Sequence, residues 1–168
     1  MPEKITEVAQ ALLDCVVEQL GKDGLPVCEA CIVSGDKTPP ADGCTCKCEG
    51  GQGRAWIRLE RLEFDRHIPQ RSTGGEVNSC PAGSWNARFE VGVWRCIKDQ
   101  DGRKCEPLVL DAAAMHRDLV SLIVGVECCA ALKGFRWAPE VSLPVGPEGQ
   151  CAAATYRFVV QLKRLRGA

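Results

Sequence analysis

From Lys4 to Leu20 the apolar residues Ile5, Val8, Leu12, Val16 and Leu20 recur at intervals of three or four, with Lys4, Glu7, Asp14 and Glu18 on the opposite side. That period predicts an amphipathic helix. Gly21 and the run Gly24-Leu25-Pro26 predict its end, because glycine accepts the left-handed conformation of a helix C-terminus and proline cannot continue the turn. Val27 to Val33 predicts a short strand. Ala55 to Phe64 predicts a longer one, with Arg58 and Glu60 on one side and Ile57 and Leu59 on the other. The clearest alternation runs from Asn86 to Cys96, where Ala87, Phe89, Val91 and Val93 oppose Arg88, Glu90 and Trp94. Asp111 is placed to cap a second helix that reaches about Lys133 and stops at Gly134. Its core stripe is Met115, Leu119, Leu122, Ile123 and Val126. His116, Arg117 and Ser121 start a polar side that Val124 and Cys128 then interrupt, so the later half of this helix needs cover on both sides. Val141 to Val145 predicts a short strand, Gly146-Pro147-Glu148-Gly149 a turn, and Thr155 to Lys163 a final strand.

The helices are separate runs, and the two best strands follow each other without a crossover helix. The predicted class is therefore α+β, an antiparallel or mixed sheet of about four strands packed with two main helices. With 168 residues, one domain over 1–168 is expected. It carries a Cys-rich insertion at about 27–53, a second loop at about 65–84 and a short basic tail at 163–168, and loops of that length usually bind something. Hydrophobic residues at 45% and charged residues at 26% exclude wholesale disorder. A net charge of −1 offers no bulk attraction to nucleic acid or a membrane surface. The charge is nonetheless uneven, since residues 1–50 hold four basic and nine acidic side chains and the segment from Gly149 onward holds four basic and no acidic ones. Acids near Met1 argue against a secretory signal. The longest nearly apolar stretch, Leu119 to Leu132, contains Glu127 and falls short of the ~20 residues that cross a bilayer.

Twelve cysteines are the abnormal feature of the composition. Cys28-x-x-Cys31 followed by Cys44-x-Cys46-x-Cys48 raises a zinc reading, with Cys28, Cys31, Cys46 and Cys48 as the ligand set. The second half fits a tetrahedral thiolate site badly, and His67 and His116 are remote in sequence, so neither metal nor cofactor is expected. Disulfides are the other reading, drawn from Cys28, Cys31, Cys44, Cys46, Cys48, Cys80, Cys96, Cys105 and Cys151 with the pairing open. Cys15, Cys128 and Cys129 lie on helices and read as small buried hydrophobes. Catalysis is not expected. Gly50-Gly51-Gln52-Gly53 leads into a strand, without the lysine and hydroxyl of a phosphate loop, and reads as a turn. Asp99 and Asp101 sit in a polar turn without apolar surroundings to perturb them.

Trp94 falls on the side of Arg88 and Glu90, so its burial calls for a second covering surface, either a neighbouring subunit or a local loop under which it packs as core. Trp94, Trp56, Arg88, Glu90, Arg117, Ser121 and Val124 are accordingly the candidate interface residues. A zinc- or disulfide-stapled binding module is the alternative class.

Several strings add a resemblance: Phe89-Glu90-Val91-Gly92-Val93-Trp94-Arg95-Cys96, the preceding Ser79-Cys80-Pro81, the helix with Asp118 and Cys128-Cys129, and Gly146-Pro147-Glu148-Gly149-Gln150-Cys151. Together with the order of elements, these resemble the tail terminator and head-to-tail connector proteins of long, flexible-tailed bacteriophages infecting actinobacteria. Cys46-Lys47-Cys48-Glu49-Gly50 is similar to the Cys-x-Cys-Gly-like turn of that family with its glycine displaced by one, and the aromatic segment common in the family is missing from Gly35 to Gly43. The resemblance implies a non-enzymatic homo-oligomer, a six-membered ring. Such a ring caps the tail tube, stops its elongation and joins it to the head connector, with DNA passing only as cargo through the lumen. A head-side adaptor or stopper is the alternative within the same neck. The implied location is the virion neck after assembly in the host cytoplasm, and exposure after lysis would permit cysteine oxidation.

Overall fold

The computed structural model describes residues 2–35, 48–65, 84–97, 105–148 and 150–162. Their order is α1 (Pro2–Lys22), β1 (Glu29–Val33), β2 (Arg54–Asp65), β3 (Ser84–Cys96), α2 (Cys105–Lys133), β4 (Arg136–Glu148) and β5 (Cys151–Leu162). The class is α+β as the sequence predicts, with five strands rather than four in the order β1-β2-β3-β5-β4. The sheet is mixed: β1 runs parallel to β2, and the remaining neighbours are antiparallel.

α1 follows its periodicity. Leu12, Leu13, Val16 and Leu20 are buried, and Glu7, Asp14 and Glu18 face water. It ends where Leu25 N–H donates to Leu20 C=O and Gly24 takes a φ of 73°, a glycine-closed C-terminus. α1 packs on β1, β2 and α2, while α2 lies chiefly over β5 and β4. The two helices meet at Gly125, where an added Cβ would stand 3.0 Å from Val16 Cα, so only a hydrogen fits at that crossing.

Three expectations are corrected. α2 begins at Cys105 and carries Asp111 in its interior, so Asp111 is not its cap; Pro107 is tolerated in the first turn because its missing N–H would have no helical acceptor there. β4 runs from Arg136 to Glu148 rather than Val141 to Val145, absorbing most of the predicted turn. It carries Pro139, Pro144 and Pro147, and it is an edge of the sheet, where a missing backbone donor is tolerated. β5 begins at Cys151, four residues before the expected Thr155.

The faces of the sheet differ. Beneath the helices lie Ala55, Ile57, Phe89, Val91, Tyr156, Phe158 and Val160. On the other face Trp56 and Trp94 cluster with Ala153 and Cys151. Trp56 lies across Gly92, whose added Cβ would come within 2.5 Å of the indole ring. A register shift between Leu59 and Arg61 leaves Glu60 as the extra residue of a β-bulge, a device that re-aims side chains. No described helix is long and apolar enough to cross a membrane.

Candidate functional site

Two charge clusters with a buried carboxylate meet β3, one on each face. On the helix-covered side, at the end of the strand, Arg95 donates from Nε to Asp118 Oδ2 at 3.1 Å and from Nη2 to Asp118 Oδ1 at 2.9 Å, a bidentate pair. The same guanidinium donates to Leu25 C=O at 2.6 Å, to Pro26 C=O at 3.1 Å and to Gln52 C=O. One side chain thus ties α2 to the turn after α1 and to the segment leading into β2. Burial pushes the Asp118 carboxyl above its ordinary range, and the Arg95 bond and charge oppose that rise without cancelling it. Beside this pair opens a cleft of about 450 Å³, walled by Pro26, Gly51, Leu110 and Ala114, with Asp111 and Arg117 also in its lining.

On the opposite face, Arg58, Glu90 and Arg157 are direct partners across three neighbouring strands. Arg58 Nε donates to Glu90 at 2.5 Å and Arg157 Nε donates to Glu90 at 3.1 Å. The bulge delivers Glu60 to the same two arginines, at 2.8 Å from Arg58 Nη2 and 3.0 Å from Arg157 Nε. Arg58 and Glu90 are buried. Two cations and two anions therefore neutralise one another where a lone charge would be costly.

This arrangement places the sequence-predicted residues as follows. Trp94 is 1% exposed within the single chain, the core alternative rather than the subunit one, and Trp56 and Glu90 are buried too; these three are corrected from interface to interior. Their side of β3 is polar only in part, because Ala153 and Val145 from β5 and β4 complete an apolar cluster around the indoles. Ser121 is also buried rather than on a polar surface. Its hydroxyl donates to Asp23 at 2.6 Å, and with Gln19 it holds the Asp23 carboxyl below the ordinary range. Arg88 is half-buried and pairs with Glu140 at 2.6 Å. Arg117 is exposed and Val124 half-buried on α2.

Of the two residues that led to the expectation of cover on both sides of α2, Val124 is half-buried and Cys128 is exposed among the described residues, so Cys128 is not the small buried hydrophobe expected. Val109, Val120 and Leu132 are 65%, 60% and 87% exposed, and Cys128 is an exposed free thiol among them. His116 is exposed on this helix; His67, Asp99 and Asp101 lie outside the described residues.

Cysteine pairing resolves part of the cysteine count. Cys28 is bonded to Cys48, and Cys15 to Cys129. The first bond removes Cys28 and Cys48 from the proposed zinc set, and Cys31 is a free thiol rather than a disulfide partner. The second corrects the reading of Cys15 and Cys129 as plain hydrophobes: facing helix surfaces bring together residues 114 apart in sequence. Cys96 and Cys151 are disulfide-bonded as well. Cys44, Cys46, Cys80 and the side chain of Cys105 lie outside the described residues. Among the described residues no group of three or more metal-binding side chains converges.

The Arg95 cage and the four-residue charge cluster escaped the sequence reading. Its signal was incomplete: alternation put Arg58 with Glu60 and Arg88 with Glu90, but it cannot reveal that a third strand brings Arg157 or that the face is covered. No family model matches the chain, and no curated protein matches it.

Proposed function

We propose that this protein is a structural subunit that assembles with copies of itself, and that its setting is the neck of a phage tail, where it acts as a tail terminator. The observation that supports self-assembly is the outer face of α2, which keeps Val109, Val120 and Leu132 in water. A helix that is apolar beyond one stripe belongs between two packed surfaces, and the described residues supply one. The charged side chains at the centre of the molecule are spent on one another and on backbone carbonyls. That spending suits a rigid building block. The neck setting rests on the resembling strings and on the order helix, three strands, helix, two strands.

Silencing the gene in its phage and imaging the particles tests the setting. Full heads beside detached tails of variable length support a terminator. Normal-length free tails beside leaking heads would move the protein to the head side, and intact virions would overturn the neck altogether. Light scattering tests assembly: the protein is expected to form a closed oligomer that Val120→Glu with Leu132→Glu dissociates into folded monomers. A monomeric wild-type protein at every concentration would overturn it.

A further inference from the structure

We infer that the Cys28–Cys48 disulfide is a redox-labile clasp that closes one wall of the Arg95 cleft, whereas Cys15–Cys129 is a permanent staple. The two bonds differ in access. Cys48 is exposed and Cys28 half-buried; Cys129 is 1% exposed, with Cys15 half-buried on the facing helix. A disulfide is opened by a thiolate that must reach one sulfur, so exposed bonds are the exchangeable ones. The core bond is shielded by the helices it joins.

The clasp has something to hold. Cys28 follows the turn containing Leu25 and Pro26, and Cys48 opens the segment containing Gly51 and Gln52; both strips line the cleft. Apart from the disulfide they are joined by Gln52 N–H donating to Pro26 C=O at 3.0 Å and Cys28 N–H donating to Gly53 C=O at 2.9 Å. They touch so closely that a Cβ on Gly51 would lie 2.8 Å from the carbonyl carbon of Val27. Arg95 spans the same seam, with Leu25 and Pro26 on one side and Gln52 on the other. The Pro26–Gln52 end of the seam lies in water, and a hydrogen bond there is a weak fastener by itself, whereas the Cys28–Gly53 end runs into the β1–β2 ladder.

A small dithiol operates the clasp. Its thiolate attacks the exposed Cys48 sulfur and forms a mixed disulfide, while the Cys28 sulfur leaves with the electron pair and takes up a proton. The second thiol of the reagent then displaces the Cys48 sulfur, which also ends protonated, and the reagent departs as its cyclic disulfide. Two electrons and two protons have moved from the dithiol to the protein. The seam then parts, Arg95 keeps Asp118 and loses its hold across the strips, and the cleft widens. This device goes beyond the neck reading and does not depend on it.

The test uses the oxidised full chain with accessible free thiols blocked first. Dithiothreitol is titrated under native conditions, new thiols are alkylated and located by mass spectrometry, and amide hydrogen exchange is followed at Cys28 and Gln52. Cys28 and Cys48 are expected to be alkylated at a reductant concentration at least tenfold lower than Cys15 and Cys129. Exchange at the two amides is expected to rise at least tenfold while α1 and α2 stay protected. The double variant Cys28→Ser with Cys48→Ser should exchange quickly at Gln52 without reductant. Simultaneous reduction of both bonds, loss of helix protection along with the clasp, or unchanged exchange at Cys28 and Gln52 after reduction would each overturn the proposal. If the variant does not fold, the titration of the wild-type chain decides alone.

Discussion

Glu90 and Arg95 lie on the same strand, one on each face, and each is embedded in opposite charge; what surrounds them differs in kind. Glu90 is compensated by side chains that the sheet register itself aligns, Arg58 on β2 and Arg157 on β5. Arg95 is compensated by Asp118 from a helix and by three carbonyls from irregular segments. The first cluster is as rigid as the ladder that carries it, and the second only as rigid as the loops it gathers. A buried charge is therefore no single kind of evidence: one marks the immobile centre of the fold, the other a seam where segments can separate.

The sharpest way to break the comparison is Glu90→Ala. It removes the acceptor of the buried Arg58 Nε and leaves Glu60 as the remaining carboxylate for both arginines, and removing one member of a buried pair costs about 3–5 kcal/mol; the drop should appear in the denaturant midpoint. Arg95→Ala is expected to cost about 2–4 kcal/mol. Water at the cleft can satisfy the released carbonyls, and the Asp118 carboxyl, raised by burial, rises further once the Arg95 bond and charge that oppose the rise are gone. Equal losses in the two variants would erase the distinction. Gly92→Ala probes the face of the tetrad without touching a charge: its methyl would collide with Trp56, for a loss of about 1–3 kcal/mol from overpacking and a shift in indole fluorescence.

Tyr156→Phe sharpens the other face with the smallest effect. The Tyr156 hydroxyl is buried without a hydrogen-bond partner, and burial, with Glu127 adding to it, pushes its pKa up to about 12. Removing the hydroxyl should be neutral or stabilise by up to about 1 kcal/mol at neutral pH. Because the folded chain holds this proton more tightly than the unfolded one, the wild type keeps the full contribution below the ordinary value of 10 and loses it as pH rises toward about 12. The phenylalanine variant should lack that alkaline loss in a pH series of thermal melts.

Much of the architecture is legible in the chain because α1, β2 and β3 each have one covered face of consistent polarity. Periodicity reports which residues share a face, and for α1 this is enough. It does not report what lies against that face, so Trp94 and Glu90 looked like surface when Ala153, Val145 and Arg157 from distant segments cover them. β4 was legible only from Val141 to Val145 because Gly146-Pro147-Glu148-Gly149 reads as a turn, although an edge position tolerates the missing donor of a proline. The Cys15–Cys129 bond was hidden for a related reason: pairing depends on how two helices face each other, and neither helix alone encodes that. The candidate site was the least legible part, since Arg95 finds its acceptors in carbonyls, which every residue type supplies.

The prolines of β4 reach beyond its own boundaries. An open sheet margin offers a row of backbone groups to any passing extended chain, and that is how soluble subunits become fibres. Pro139 and Pro144 remove two donors from the strand at this margin, and the register slips between Pro139 and Val141 and again between Val145 and Glu148. A margin built in this way resists backbone pairing with another extended chain, so that contacts along β4 are left to its side chains.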